Sequence, residues 1–277
     1  MYYRGSTFRM SGRNDHETTC YAESDDGIHW RRPKLGFYEF DGSKENNIIL
    51  MNDEAIHNFA PCYGGGLPGL SDGGFISSRD GIHYRRWDEA FVRPGLQHER
   101  WINRNNMSAQ GDVLTPADIK GLPPVLSIYS TEAYDSEMLN RLRRLTLRQD
   151  GFVSVQAPYS GGCVTLKPLP VEVVETSQIP GRQGYTVDIQ PGWSDVMLLL
   201  NASTSALGEI RCEIRDEQNK PIPGYALEDS APVFGDELDL PMAWKNGTDV
   251  KPLIGRKVIL HFEMKYADIY SLRFGKP

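Results

Sequence analysis

Apolar and polar residues alternate in short stretches along this chain, and the stretches are strand-sized. Phe75-Ile-Ser-Ser78, Val125-Leu-Ser-Ile-Tyr-Ser130 and Leu142-Arg-Arg-Leu-Thr-Leu-Arg148 show the two-residue period of a half-buried strand. After about residue 156 the same pattern returns at shorter intervals. Cys163–Leu166, Gly184–Asp188, Val196–Leu200, Glu209–Ile214, Lys257–Phe262 and Ile269–Phe274 are each bounded by turn signals such as Pro191-Gly192, Pro223-Gly224 and Asn246-Gly247. No helical periodicity persists for more than about two turns. The pattern predicts an all-β protein.

A repeated phrase refines that expectation. Ser24-Asp-Asp-Gly-Ile-His-Trp-Arg-Arg32 returns as Ser78-Arg-Asp-Gly-Ile-His-Tyr-Arg-Arg86. Glycine supplies the positive φ of a tight turn, and the Asp side chain bonds backbone two residues on. The Ile-His-aromatic run that follows reads as a strand with one buried face. A repeat of this length points to stacked β units, above all propeller blades. The expected architecture is therefore a partial β-propeller over residues 1–155, followed by a β-sandwich over residues 156–277. A glycine-rich stretch at 63–74 marks a junction inside the first domain.

The chain has 277 residues, 39% of them hydrophobic and 24% charged, with a formal net charge of −7. That balance fits a soluble globular protein and argues against a nucleic-acid partner, which would want a positive field. The Arg pairs at 31/32, 85/86 and 143/144 read as solvated strand faces. No apolar run approaches the roughly 20 residues of a membrane span. Met1-Tyr-Tyr-Arg-Gly-Ser lacks the basic-then-apolar order of a secretion signal, so a soluble protein is expected, with its compartment left open. Four cysteines, at 20, 62, 163 and 212, have no zinc-ligand spacing and are either buried thiols or disulfides. Asn106, Asn201 and Asn246 head glycosylation sequons.

Longer blocks of sequence carry a resemblance. Glu17-Thr-Thr-Cys-Tyr-Ala-Glu-Ser-Asp-Asp-Gly-Ile-His-Trp30, Phe40-Asp-Gly-Ser-Lys-Glu-Asn-Asn-Ile48 and His57-Asn-Phe-Ala-Pro61 resemble bacterial glycoside hydrolases related to the five-bladed propeller families 32 and 43. The resemblance continues through Ser77–His83, Arg141–Val155, Pro221–Tyr225 and Ala267–Phe274. It implies cleavage of glycosidic bonds in an oligo- or polysaccharide by carboxylates around the propeller axis, with no cofactor. In such enzymes the acids sit in central blades. Here the chain passes from His57–Pro61 through glycine-rich sequence to what resembles a late blade, so the central blades are missing.

The acids near strand ends in the first half are Glu17, Asp53, Glu54, Glu99, Asp112, Glu132 and Asp135. Glu132 leads as a catalytic candidate, because it ends a strand among Tyr129 and Tyr134, and an apolar flank suits a carboxyl to donate a proton. Glu99 is the second candidate, in the cluster His98-Glu-Arg-Trp-Ile-Asn-Arg104. For substrate binding, His57, Asn58, Trp101, Arg104 and Asn105 offer the aromatic face and hydrogen-bonding groups that sugars require. Asp26 and Asp80 read as turn residues, and His29 and His83 as structural. No metal site is expected, although Asp229, Asp236 and Asp239 are sandwich-loop acids of the type that bind calcium. Two functions compete: a glycoside hydrolase, and a non-catalytic glycan-binding or structural module on the same scaffold. An open propeller edge would favour pairing with a second copy of the chain.

Overall fold

The computed structural model describes residues 1–8, 14–51, 73–101, 106, 108–133, 140–174, 194 and 196–276. The protein is all-β. Helical geometry among the described residues is limited to single 3-10 turns at His98–Arg100, Leu227–Asp229 and Lys251–Leu253. No helix among them is long and apolar enough to cross a membrane. Two compact units form, one from Met1–Asp112 with Ile128–Leu145 and the other from Val113–Ser127 with Thr146–Pro277.

The first unit opens with a three-stranded antiparallel sheet, β1 (Tyr2–Phe8), β2 (Asn14–Tyr21) and β3 (Ile48–Met51) in that order. Its buried positions are Thr18, Thr19 and Cys20 on β2, and Ile48, Ile49 and Leu50 on β3. Gly5 on β1 is required by proximity. A Cβ there would lie 2.4 Å from Thr18 Oγ1 and 3.0 Å from Cys20 Sγ. A short hairpin follows, β4 (Ile76–Ser78) against β5 (Tyr84–Arg86). Tyr2 ties the two sheets together: its hydroxyl donates to the Gly81 carbonyl at 2.8 Å, and its ring meets Tyr84 edge-on.

The repeated phrase builds the same turn twice. Asp26 Oδ1 accepts the amides of Ile28 and His29, while Oδ2 meets His29 Nδ1 at 2.6 Å. Asp80 does the same with Ile82 and His83. Ser24 and Ser78 hydroxyls accept the amides of the Asp and Gly two and three residues on, and Gly27 and Gly81 take φ of 74° and 73°. The expected strand after the first turn does not form. Residues 25–29 are bends, as 79–83 are, Ile28 is 77% exposed, and beyond the first turn only Arg31, among the described residues, bridges back to Glu23. After the second turn the strand is present but short.

Six described strands lie in the chain between β5 and the two 19-residue strands on which the second unit is built. These are β6 (Val113–Thr115), β7 (Val125–Glu132), β8 (Arg141–Leu147), β9 (Val155–Ala157), β10 (Gly162–Thr165) and β11 (Leu169–Pro170). The long strands are β12 (Met197–Arg215) and β14 (Lys257–Gly275), with β13 (Asp236–Pro241) between them in sequence. β12 and β14 pair antiparallel from Met197 opposite Gly275 to Arg215 opposite Ile259. The sheet runs β10-β14-β12-β13, with β9 and β11 also on β14.

Alternation along both long strands fills one core. Leu198, Leu200, Ala202, Ile210, Cys212 and Ile214 face Val258, Leu260, Phe262 and Met264 in it. Fully burying a Leu or Phe of this kind contributes about 2–3 kcal/mol. Trp244 closes one side of the core and donates its indole N–H to the Cys212 carbonyl at 2.9 Å.

The units do not divide at the expected 155/156 position. Residues 146–155 travel with the second unit, where Asn201 Nδ2 donates to the Gln149 carbonyl, Ser154 to Asp268 and Ser271 to Asp150, and β9 adds to β14. β6 pairs with the first half of β7 there, while the far half of β7 and most of β8 belong to the first unit. Of the glycine-rich junction at 63–74, only Gly73 and Gly74 lie within the described residues.

Candidate functional site

Glu132 is the last residue of β7 and is buried. Ala133 follows it at φ 57°, also buried, and turns the chain off the strand. β8 flanks β7, and the two-residue period of a strand puts Arg141 and Arg143 on one face. That face meets Glu132. Arg143 Nε pairs with Glu132 Oε1, and Arg141 Nε lies 4.0 Å from Oε2. Arg143 continues to Gln97, donating Nη2–H to Oε1 at 2.6 Å.

The third guanidinium comes from the 3-10 turn at His98–Arg100. Arg100 Nε lies 3.3 Å from Glu132 Oε1 and donates to Asn106 Oδ1 at 2.9 Å. Asn106 is fully buried at φ 68°, a left-handed backbone that asparagine tolerates better than most residues. Glu132 Oε1 carries no well-aligned hydrogen bond, so its pairing with the guanidiniums is mainly Coulombic. Burial, and to a lesser degree the neighbouring Arg143, depress the Arg100 pKa, while Glu132 opposes that shift.

The flank expected to be apolar is thus strongly cationic. Three arginines surround Glu132, so of the pair 143/144 expected on a solvated face Arg143 turns to Glu132 while Arg144 is exposed. The signal that could have found the cluster is the Arg-x-Arg spacing at 141 and 143, which places two cations on one strand face after a strand-terminal acid.

The other candidates divide clearly. Glu99 is half-buried on the turn that brings Arg100 to Glu132. Successive residues of a 3-10 turn project about 120° apart, so the turn that aims Arg100 inward carries Glu99 off that line. Trp101 follows immediately, partly exposed, with its Nε1–H donated to the Gly95 carbonyl at 2.7 Å. His57, Asn58, Arg104 and Asn105 lie outside the described residues, as do Asp53, Glu54, Asp135 and the side chain of Glu17. Asp112 is exposed.

Of the acids expected in sandwich loops, Asp236 and Asp239 lie on β13 and Asp229 on a 3-10 turn, and all three are paired with bases. Asp229 meets Lys245 at 2.8 Å, Asp236 meets Arg148 at 2.6 Å, and buried Asp239 meets Arg273 at 3.0 Å. Among the described residues no three metal-ligating side chains gather. An open groove of about 370 Å³ crosses the sheet, lined by Cys163, Glu209, Arg211, Glu263 and Lys265. Its charges cancel, with Arg211 opposite Glu263 and Glu209 opposite Lys265 across the ladder. Cys20, Cys163 and Cys212 are free thiols. Of the sequons, Asn106 and Asn201 are buried and only Asn246 is exposed.

No family model, no curated protein and no solved structure matches this chain.

Proposed function

We propose that this chain is a carbohydrate-active protein on a partial propeller and sandwich scaffold, and that it binds glycans without cleaving them. The observation that carries the reading is the pairing of Glu132 with Arg100, Arg141 and Arg143. A proton donor in glycosidic cleavage must reach the leaving oxygen. A buried carboxylate crossed by guanidinium groups serves instead as their counter-ion. The surroundings still suit recognition, with a partly exposed Trp101 beside a cluster of forked N–H donors. The test is a glycan array and a chromogenic-glycoside screen on one sample. Binding without sugar release supports the reading, and sustained release overturns it.

A second reading, a glycoside hydrolase using Glu132 and Glu99, is favoured by one observation: Arg100 joins the turn carrying Glu99 to Glu132. It requires that E132Q and E99Q each abolish measured turnover. Closure of an open propeller edge by a second copy of the chain accompanies either reading, and a monodisperse monomer in light scattering would exclude it.

A further inference from the structure

Charge is out of balance at the β7–β8 hairpin. Three guanidinium groups gather around one carboxylate, so two positive charges remain without a counter-charge among the described residues. The donors are also underused. The side chain of Arg100 is only 9% exposed, yet its bonds run through Nε alone; among the described residues Nη1 and Nη2 meet no acceptor. Arg141, 46% exposed, makes no hydrogen bond among those residues, and its one ion pair is at 4.0 Å. Arg143, 34% exposed, engages Glu132 through Nε and Gln97 through Nη2, which leaves Nη1.

Such an arrangement is costly without a ligand. Burial of the Arg100 guanidinium is the larger cost and depresses its pKa, and the like charge of Arg143 beside it adds a smaller one. An anion relieves it. Guanidinium forks match the paired oxygens of a carboxylate or a sulfate, with two parallel N–H donors each.

We propose that Arg100, Arg141 and Arg143 form a site for an oxyanion carried on a glycan, either a sulfate ester or a uronate carboxylate. The inference rests on the glycan-binding reading above and names the class of glycan. Glu132 positions the three arginines through their Nε atoms, so that Nη donors remain for the ligand. Trp101, directly after Arg100 in the chain, anchors its indole N–H on Gly95 and offers the ring to the sugar's C–H face. The overall charge of −7 repels a nucleic-acid polyanion and is compatible with a short acidic sugar held at one local cluster.

The experiment is calorimetric titration of the full chain with four probes: an oligogalacturonate, a sulfated galactan oligomer, the same oligomer without sulfate, and sodium sulfate. Wild type is compared with R141A and R141K, because Arg141 is half-exposed and its replacement leaves the buried Arg100–Glu132 pair in place; a thermal melt verifies that both variants are folded. The expected result is binding of an acidic oligomer at least roughly tenfold tighter than of the neutral one, weakening with added salt. R141A then loses roughly tenfold in affinity for the acidic oligomer, and R141K recovers part of it. Binding of both the sulfated galactan and the oligogalacturonate no tighter than that of the unsulfated galactan, or an unchanged affinity in R141A, overturns the oxyanion site and leaves the glycan reading standing. Binding of free sulfate with no binding of any oligomer overturns the glycan as its source, and the glycan reading with it. No binding of any probe overturns both.

Discussion

Arg100 and Asn106 hold each other reciprocally. Arg100 Nε donates to Asn106 Oδ1 at 2.9 Å, and Asn106 Nδ2 donates back to the Arg100 carbonyl at 3.1 Å. Both residues are buried, and Asn106 does this from a left-handed backbone. Asn106→Ala removes both bonds and puts a less tolerant residue at φ 68°. It should cost about 2–4 kcal/mol in denaturant unfolding. Wild-type stability in N106A would show that the pair is incidental.

Glu132→Gln removes the one negative charge that three arginines share. Breaking a buried pair by deleting one partner costs about 3–5 kcal/mol, so E132Q should melt well below the wild type in dilute buffer. Sulfate should restore more of that loss than chloride at matched ionic strength, since its paired oxygens match the guanidinium forks left without a counter-charge. Equal recovery in both salts would reduce the effect to general screening.

The two Asp-Gly turns give a pH dependence of known sign. His29 and His83 side chains, and then the backbone amides, hold the Asp26 and Asp80 carboxyls well below the usual carboxylate range. A carboxylate whose folded pKa is depressed stabilises the fold above its ordinary pKa of 3.8, and that contribution fades as pH falls below it toward the folded value. Both side chains are exposed, so the effect is modest and salt-sensitive. Carbon NMR titration of the Asp side chains should find both still ionised near pH 3. Ordinary titration midpoints would contradict the turn geometry.

Cysteine reactivity should separate by position. Burial, with Glu213 adding to it, pushes the Cys212 thiol well above its usual pKa, while Cys163 sits exposed on β10. A thiol reagent should label Cys163 in the native protein and Cys212 only after denaturant. Equal labelling rates would mean that the β12 core opens readily.

The sequence showed the second unit's strands but broke each long one in two. The alternation marks Val196–Leu200 and Glu209–Ile214 as separate strands, and likewise Lys257–Phe262 and Ile269–Phe274. The structure joins each pair into a single strand with a register shift between Thr204 and Glu209. A Cβ on Gly208 would lie 2.4 Å from the Tyr266 carbonyl oxygen, and Tyr266 itself takes φ 47°. Glycine inside a strand marks such irregularities, yet in Ser203-Thr-Ser-Ala-Leu-Gly208 it reads equally well as a turn.

At the candidate site, Glu132 was legible as a strand-terminal acid. Its surroundings were not, because Arg100 reaches it from a turn far back in the chain, and no local pattern encodes that meeting. The Asp-Gly-Ile-His phrase failed in the opposite way. Its turn is legible to the atom, but the length of the strand after it is not, since the same phrase leads to β5 in one copy and to a single Arg31–Glu23 bridge in the other.

The paired turns have a consequence for the order in which the molecule assembles. The serine and aspartate bonds that set Ser24–His29 all close within those six residues, and the same set closes within Ser78–His83. Closing so small a loop takes well under a microsecond. Met197, by contrast, must find Gly275 across most of the second unit before β12 and β14 can zip, and such long-range pairing is slow. The corners therefore stand while the great sheet is still searching for its register, and they enter folding as ready-made joints rather than as products of it.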